Sequence, residues 1–199
     1  MRKAGAKNYI DYSKKILKIV KNKPVSFEVF ADNSNEMIKQ GIKINKWAKN
    51  VYVKVPITNS KGRFTGDVIN KLNSKKIKLN ITAVYSSKQT SKVLSKINKK
   101  SKVLISIFAG RMADKGKDPI PEIVKSIKLA KRFKNVKILW ASVREPYNYL
   151  QAKQLGCHII TVPPKIIEKI QNFGTSFNKL TISTVKTFLE DSKKSKFKI

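Results

Sequence analysis

Cysteine and histidine are almost absent: Cys157 and His158 are the only ones in 199 residues. A lone thiol excludes an internal disulfide and suits a reducing compartment. With no clustered partners for either residue, a zinc site is not expected, and His158 reads as structural. No run of 18 apolar residues occurs, so the sequence offers no membrane span. The opening Met1-Arg-Lys-Ala-Gly-Ala-Lys leads into polar amphipathic sequence rather than an apolar signal core, which gives a cytoplasmic reading. Carboxylates are scarce too, 12 against 44 Lys and Arg, for a net charge of +32. Only five of those cations are arginines. Nucleic-acid readers lean on arginine for bidentate contacts and group charge on one face or arm. Here lysine runs along every helical segment beside much isoleucine and asparagine, as in proteins from AT-rich genomes. Non-specific polyanion attraction at low salt is expected, but no specific nucleic-acid partner.

What is present is a strict alternation of helical and extended segments. Residues 8–23 place Tyr9, Tyr12, Ile16, Ile19 and Val20 on one helical face, and Pro24 ends the helix. Strands are expected at 25–31, 51–58, 79–85, 103–109, 136–142 and 158–162. Helices are expected from Asp32-Asn33 to Trp47, over 62–77, from Ser86-Ser87 to 99, over 120–133 and over 146–155. Pro163-Pro164 opens another helix, and a last one covers 183–190 before a lysine-rich tail. Near-continuously apolar strands, each separated from the next by a helix, mean a parallel sheet covered by helices, an α/β fold. No Gly-rich turn follows the first strand and no Walker pattern occurs, so no nucleotide cofactor is expected. A doubly wound sheet and a barrel both remain open, although a barrel wants eight strands and six are legible. At this length one domain is expected, with 183–199 as its C-terminal helix and tail.

Val51-Tyr-Val-Lys-Val-Pro-Ile-Thr58 carries the central oddity, a lysine inside an apolar strand. A buried, unpaired ammonium costs several kcal/mol or sheds its proton. Lys54 is therefore either a nucleophile for a carbonyl or a strand-end side chain that reaches water. Other polar residues fall near successive strand ends: Glu28, then Asn80 and Thr82, then Ser106 with Arg111, then Ser142 with Arg144. In a β/α barrel, inward positions near the C-terminal strand ends converge on one mouth. One lysine, one carboxylate, one threonine and two arginines there read jointly as a carbonyl and phosphate site. Asp114 and Asp118 read as solvated loop residues, and Trp47 and Trp140 as packing residues.

The stretches VSFEVFAD from Val25, VYVKVPIT from Val51 and LNITAVYS from Leu79 resemble the transaldolase family in its small-subunit branch. That branch includes the fructose-6-phosphate aldolases. ISIFAGRMAD from Ile105, ILWASVRE from Ile138 and GCHIITVP from Gly156 extend the resemblance in family order. It implies a (β/α)8 barrel and a class I aldolase mechanism without cofactor. In that mechanism Lys54 forms a Schiff base with a ketose phosphate and passes a three-carbon dihydroxyacetone unit to an aldose phosphate, in the non-oxidative pentose phosphate route. Glu28 and Thr82 match the residues that hold a proton-relaying water. Asn80 and Ser106 match hydrogen-bond partners of substrate hydroxyls and of the lysine. Arg111, Ser142 and Arg144 match the phosphate-binding positions. Phe108 stands where transaldolases carry phenylalanine and the fructose-6-phosphate aldolases tyrosine, which favours transfer. Fructose 6-phosphate, erythrose 4-phosphate and sedoheptulose 7-phosphate are the implied substrate class, in a homo-oligomer. Relatives begin with two further strands, one bearing a proton-transferring aspartate, so an N-terminally incomplete barrel of reduced activity is expected. Ile107 replaces a family proline.

Overall fold

A computed structural model describes residues 5–195. The chain divides into two compact units, one running through Val162 and one from Pro163 onward. In the first, helices and strands alternate: α1 (Tyr9–Val20), β1 (Val25–Glu28), α2 (Ser34–Asn45), β2 (Val51–Pro56), α3 (Gly66–Ser74) and β3 (Leu79–Val84). There follow α4 (Ser87–Leu94), β4 (Val103–Ile107), α5 (Ala109–Ala113), α6 (Ile120–Ala130), β5 (Val136–Trp140), α7 (Tyr147–Gln154) and β6 (Ile159–Ile160). The second unit consists of α8 (Pro164–Ile170) and α9 (Phe177–Ser195). Every helix expected is present, and α9 is longer than the apolar spacing indicates.

The six strands are all parallel and pair in sequence order, β1 to β6. This is barrel order rather than the reversed order of a doubly wound sheet. The sheet curls, since Ser26 of β1 and Ile159 of β6 line one cavity although four strands separate them. Neighbouring strands lie about 4.8 Å apart, so a flat sheet would hold those edges well over 20 Å from each other. Among the described residues, β1 and β6 are the edges of this open half-barrel.

Side-chain alternation explains why the strands look apolar throughout. Val51, Val53, Val55, Leu79, Ile81, Val103, Ile105, Ile107 and Ile138 are wholly buried on the convex side, beneath helices such as α2, α4 and α6. The alternate set faces the concave side. Its lower layer is apolar, with Tyr52, Leu104, Leu139 and Ala141 packed together and joined by Phe108 and Ile159. Its upper layer is polar, and it carries the site.

Strands end earlier than their apolar runs do. Val29 is buried, yet β1 stops at Glu28, because Phe30 and Ala31 donate their backbone N–H groups to the Gln40 side chain instead of to a strand. Caps fall where the short polar residues stand. Asn8 accepts from Ile10 and Asp11, Asn33 accepts from Glu36, and Ser86 forms a capping box with Gln89. Asp32 is not a cap. It binds the backbone N–H and hydroxyl of Ser60, fixing the β2–α3 loop. Ala109, expected to end a strand, and residues 110–113, expected as loop, form α5 instead.

His158 is structural: its Nδ1 accepts the N–H of Ile138, closing the β5 edge below β6. Burial, with Lys137 adding, pushes the imidazole pKa below its ordinary value. The fold thus holds the neutral ring. The stability it contributes is complete above the unfolded value of about 6.5 and is lost as pH falls through that value toward the folded one. In thermal denaturation across pH 5 to 8, the native protein should exceed His158→Leu in Tm most above pH 7. The gap should narrow on acidification.

Candidate active site

Strand register sets the geometry. Glu28 pairs with Lys54 across β1 and β2, and Lys54 with Asn80 across β2 and β3, so three polar side chains lie at one level on the concave face. Lys54 Nζ is 3.5 Å from Glu28 Oε2, and both side chains are partly exposed, at 29% and 42%. The lysine is thus neither sealed in the core nor free in solvent; it stands in the wall of a cavity with one carboxylate beside it.

Beside it runs a hydrogen-bonded chain that links β1, β3 and β4. Ser106 Oγ donates to Asn80 Oδ1 at 2.7 Å, and Asn80 Nδ2 donates to Ser26 Oγ at 3.0 Å. With its amide held at both ends, Asn80 has a fixed orientation, a polar neighbour level with Lys54. Thr82 is buried, and its hydroxyl makes no hydrogen bond to another described residue. The β3–β4 register breaks between Ile81 and Val84, with Ala83 at φ +58°. This bulge carries β3 past Thr82 with an extra residue.

At the C-terminal ends of β4 and β5 lie the two arginines. Arg111, on α5, sits over the Phe108 ring with its guanidinium carbon 5.0 Å from the centroid. Tyr85 meets the same ring edge-on at 6.0 Å. Arg144 is gripped by Asp114, whose carboxylate accepts from Nε at 2.9 Å and from Nη2 at 2.6 Å. That fork holds the Asp114 carboxyl below the usual carboxylate range. Arg144 Nη1 donates to the Ser142 carbonyl at 3.3 Å. Ser142 itself adopts φ +68°, an uncommon conformation for a residue with a Cβ.

Of the nine candidate residues, eight line one cavity of about 750 Å³: Lys54, Asn80, Thr82, Ser106, Phe108, Arg111, Ser142 and Arg144. Glu28 lines an adjoining cavity of about 520 Å³ that shares Lys54 and Ser26. Three residues with a place here were not read as site residues in the sequence. Ser26 anchors Asn80; its signal was its position two residues before Glu28, on the same face of β1. Tyr9 accepts the Glu28 N–H at 2.9 Å and donates to the Glu28 carbonyl, fixing that strand end. Asp114, expected as a solvated loop residue, is instead the partner of Arg144, a pairing between loops 30 residues apart that spacing does not reveal.

A half-barrel of parallel strands, with a strand-borne lysine and two arginines around one cavity, defines the class as a protein of the β/α-barrel type. The chain matches the Transaldolase/Fructose-6-phosphate aldolase family over residues 3–199 and belongs to it. It is 30% identical to a probable transaldolase of Thermoanaerobacter over 194 residues, covering 97% of this chain and 83% of that protein. It is 33% identical to one of Thermoplasma volcanium, covering 96% and 79%, and 34% identical to one of Sulfurihydrogenibium, covering 93% and 79%.

One close approach holds the arginine loops together. A Cβ on Gly110 would lie 1.6 Å from the Ser142 carbonyl oxygen. Gly110→Ala must therefore part α5 from the 141–146 loop. It should lower stability by about 1–3 kcal/mol, as overpacking does. Urea denaturation against Ala109→Gly, a change that adds no atom, measures the difference.

Proposed function

We propose that this protein is a transaldolase, moving a three-carbon dihydroxyacetone unit between sugar phosphates through a Schiff base on Lys54. The observation that carries the reading is Lys54 itself. It is a partly buried strand lysine beside a carboxylate, in a cavity whose opposite rim bears two guanidinium groups.

The chemistry follows from the parts. Lys54 attacks as the neutral amine, and Glu28, 3.5 Å away, is the nearest group able to take its proton. The amine adds to the C2 ketone of fructose 6-phosphate, and loss of water leaves an iminium. Electron withdrawal by that cation lets the C3–C4 bond break as the C4 hydroxyl proton departs. An aldehyde leaves, and an enamine stays on Lys54. Attack of the enamine carbon on the aldehyde of erythrose 4-phosphate reverses these steps and forms a seven-carbon ketose phosphate. The free Thr82 hydroxyl and Glu28 are suited to hold the water that carries protons between these steps. Asn80, locked by Ser26 and Ser106, is placed to meet substrate hydroxyls rather than swing with them.

A phosphate dianion suits the rim. Arg144 spends Nε and part of Nη2 on Asp114 and part of Nη1 on the Ser142 carbonyl, and keeps its other N–H groups, so its fork is aimed before the substrate arrives. Arg111 faces it from α5, and Ser142 supplies a hydroxyl. Phe108, between Arg111 and Tyr85, brings no hydroxyl to the enamine. An apolar ring there favours capture by a second sugar over protonation and release.

Borohydride reduction in the presence of fructose 6-phosphate, followed by peptide mapping, tests the Schiff base. A reduced adduct on Lys54, absent in Lys54→Met, is the expected result; a folded chain with no adduct overturns the reading in favour of a silent family member. Coupled assays with and without erythrose 4-phosphate separate transfer from simple fructose-6-phosphate aldolase activity, and turnover should require the acceptor. Asp114→Asn should raise KM for the sugar phosphate about tenfold while changing kcat less, because it loosens a binding group rather than a reacting one.

A further inference from the structure

Along the sequence the lysines look evenly spread; in the fold they are not. The six loops that enter the strands, at the N-terminal face of the sheet, hold fourteen Lys or Arg residues and no Asp or Glu. The loops leaving the strands, with α5, hold six cations and four carboxylates. None of the three ion pairs among the described residues involves an entering loop. This end of the sheet is therefore a face whose own loops carry unneutralised positive charge, and it lies away from the arginine rim.

The face is concave. One cavity of about 760 Å³ is walled by Lys99, Lys100, Lys102, Arg132, Lys134 and Lys137, over a floor that includes Tyr52, Leu104 and Ile159. A second, of about 560 Å³, adjoins it through Pro24, Tyr52 and Lys102, and adds Lys21, Lys49 and Lys78. Lys78 donates to the Lys49 carbonyl and sits 5.2 Å over the Tyr52 ring. Burial and the nearby Lys102 push its pKa down, as expected of cations crowded together without a counter-ion.

We propose that this face binds single-stranded nucleic acid without regard to sequence, the loop lysines holding phosphates and the apolar floor receiving a base or sugar. Two features favour this occupant. Fourteen cations over five loops exceed what a mononucleotide engages, which calls for an extended chain of phosphates. An apolar floor offers nothing to inorganic polyphosphate but accepts a base. Lysine suits the task, since it meets phosphates as a point charge and reads no base edge.

The test is fluorescence anisotropy of a labelled 15-mer oligouridine across a salt series, on the full chain. Binding with Kd of about 10⁻⁵ M at near-physiological salt is expected, within the range of non-specific association. Replacing Lys78, Lys99, Lys102 and Lys134 by Gln should weaken it at least tenfold. The same change should flatten the log–log salt slope by about 2 to 3, at roughly 0.7 for each phosphate no longer neutralised. A control with Lys14, Lys61, Lys88 and Lys125 replaced by Gln removes equal charge elsewhere and should weaken binding less than threefold. Equal weakening in both variants overturns the proposal, as does displacement of the oligonucleotide by tripolyphosphate at matched phosphate concentration. Photo-crosslinking of 4-thiouridine RNA to the unmutated protein gives a readout independent of variant folding. Adducts should map to residues 49–52 and 99–104, and adducts confined to the helices overturn it.

Discussion

Parallel register is the constraint on which the site depends. Because β1, β2 and β3 pair in sequence order, residues separated by 26 positions along the chain, Glu28, Lys54 and Asn80, become lateral neighbours. A slip of one residue in any pairing would turn that strand's polar group into the apolar layer beneath the helices. The register is held from the other side of the sheet, where Phe27, Val53, Leu79, Ile81 and Ile105 are essentially inaccessible to solvent. The convex core thus specifies the position of a lysine that it never touches.

Above that sheet the site is made rigid by hydrogen bonds between side chains that do no chemistry. Ser26 and Ser106 hold Asn80 from opposite sides, Tyr9 holds the Glu28 backbone, and Asp114 holds Arg144. Each fixes a group whose free rotation would otherwise have to be frozen when a substrate binds, a cost of about 0.5–1.5 kcal/mol per ordered side chain. Gly110 serves the same end by having no side chain, letting α5 and the Arg144 loop meet at backbone distance.

The strand and helix alternation was legible in the residues because both faces of a parallel sheet are covered, so its strands are long apolar runs. Strand ends were not. The runs 25–31 and 103–109 continue past Glu28 and Ile107 because buried residues just beyond the strands, Val29 and the first residue of α5, Ala109, stay apolar. Lys54, Arg111 and Arg144 stood out because charge beside apolar strands is costly and calls for a reason. Asp114 did not, because a carboxylate in a Gly/Asp-rich loop is ordinary until a guanidinium from another loop is brought against it. The lysines misled in the same way: spacing in sequence says nothing of which loops share an end of the sheet.

On the proposed function, that uneven charge bears on how the mouth would select a substrate. If the overall charge of +32 acted there as a diffuse field, any anion would be drawn in. With six cations against four carboxylates, the loops around the mouth are close to balanced. Selectivity then falls to directed bonds. A guanidinium whose Nε and Nη2 are already bound to Asp114 presents its remaining donors at a fixed angle, which a tetrahedral phosphate can meet at a set distance from Lys54. A planar carboxylate of the same charge meets them less well. On the same reading, carboxylates at the mouth and unpaired cations at the opposite end of the sheet would let one chain combine a geometric anion site with a broad electrostatic one.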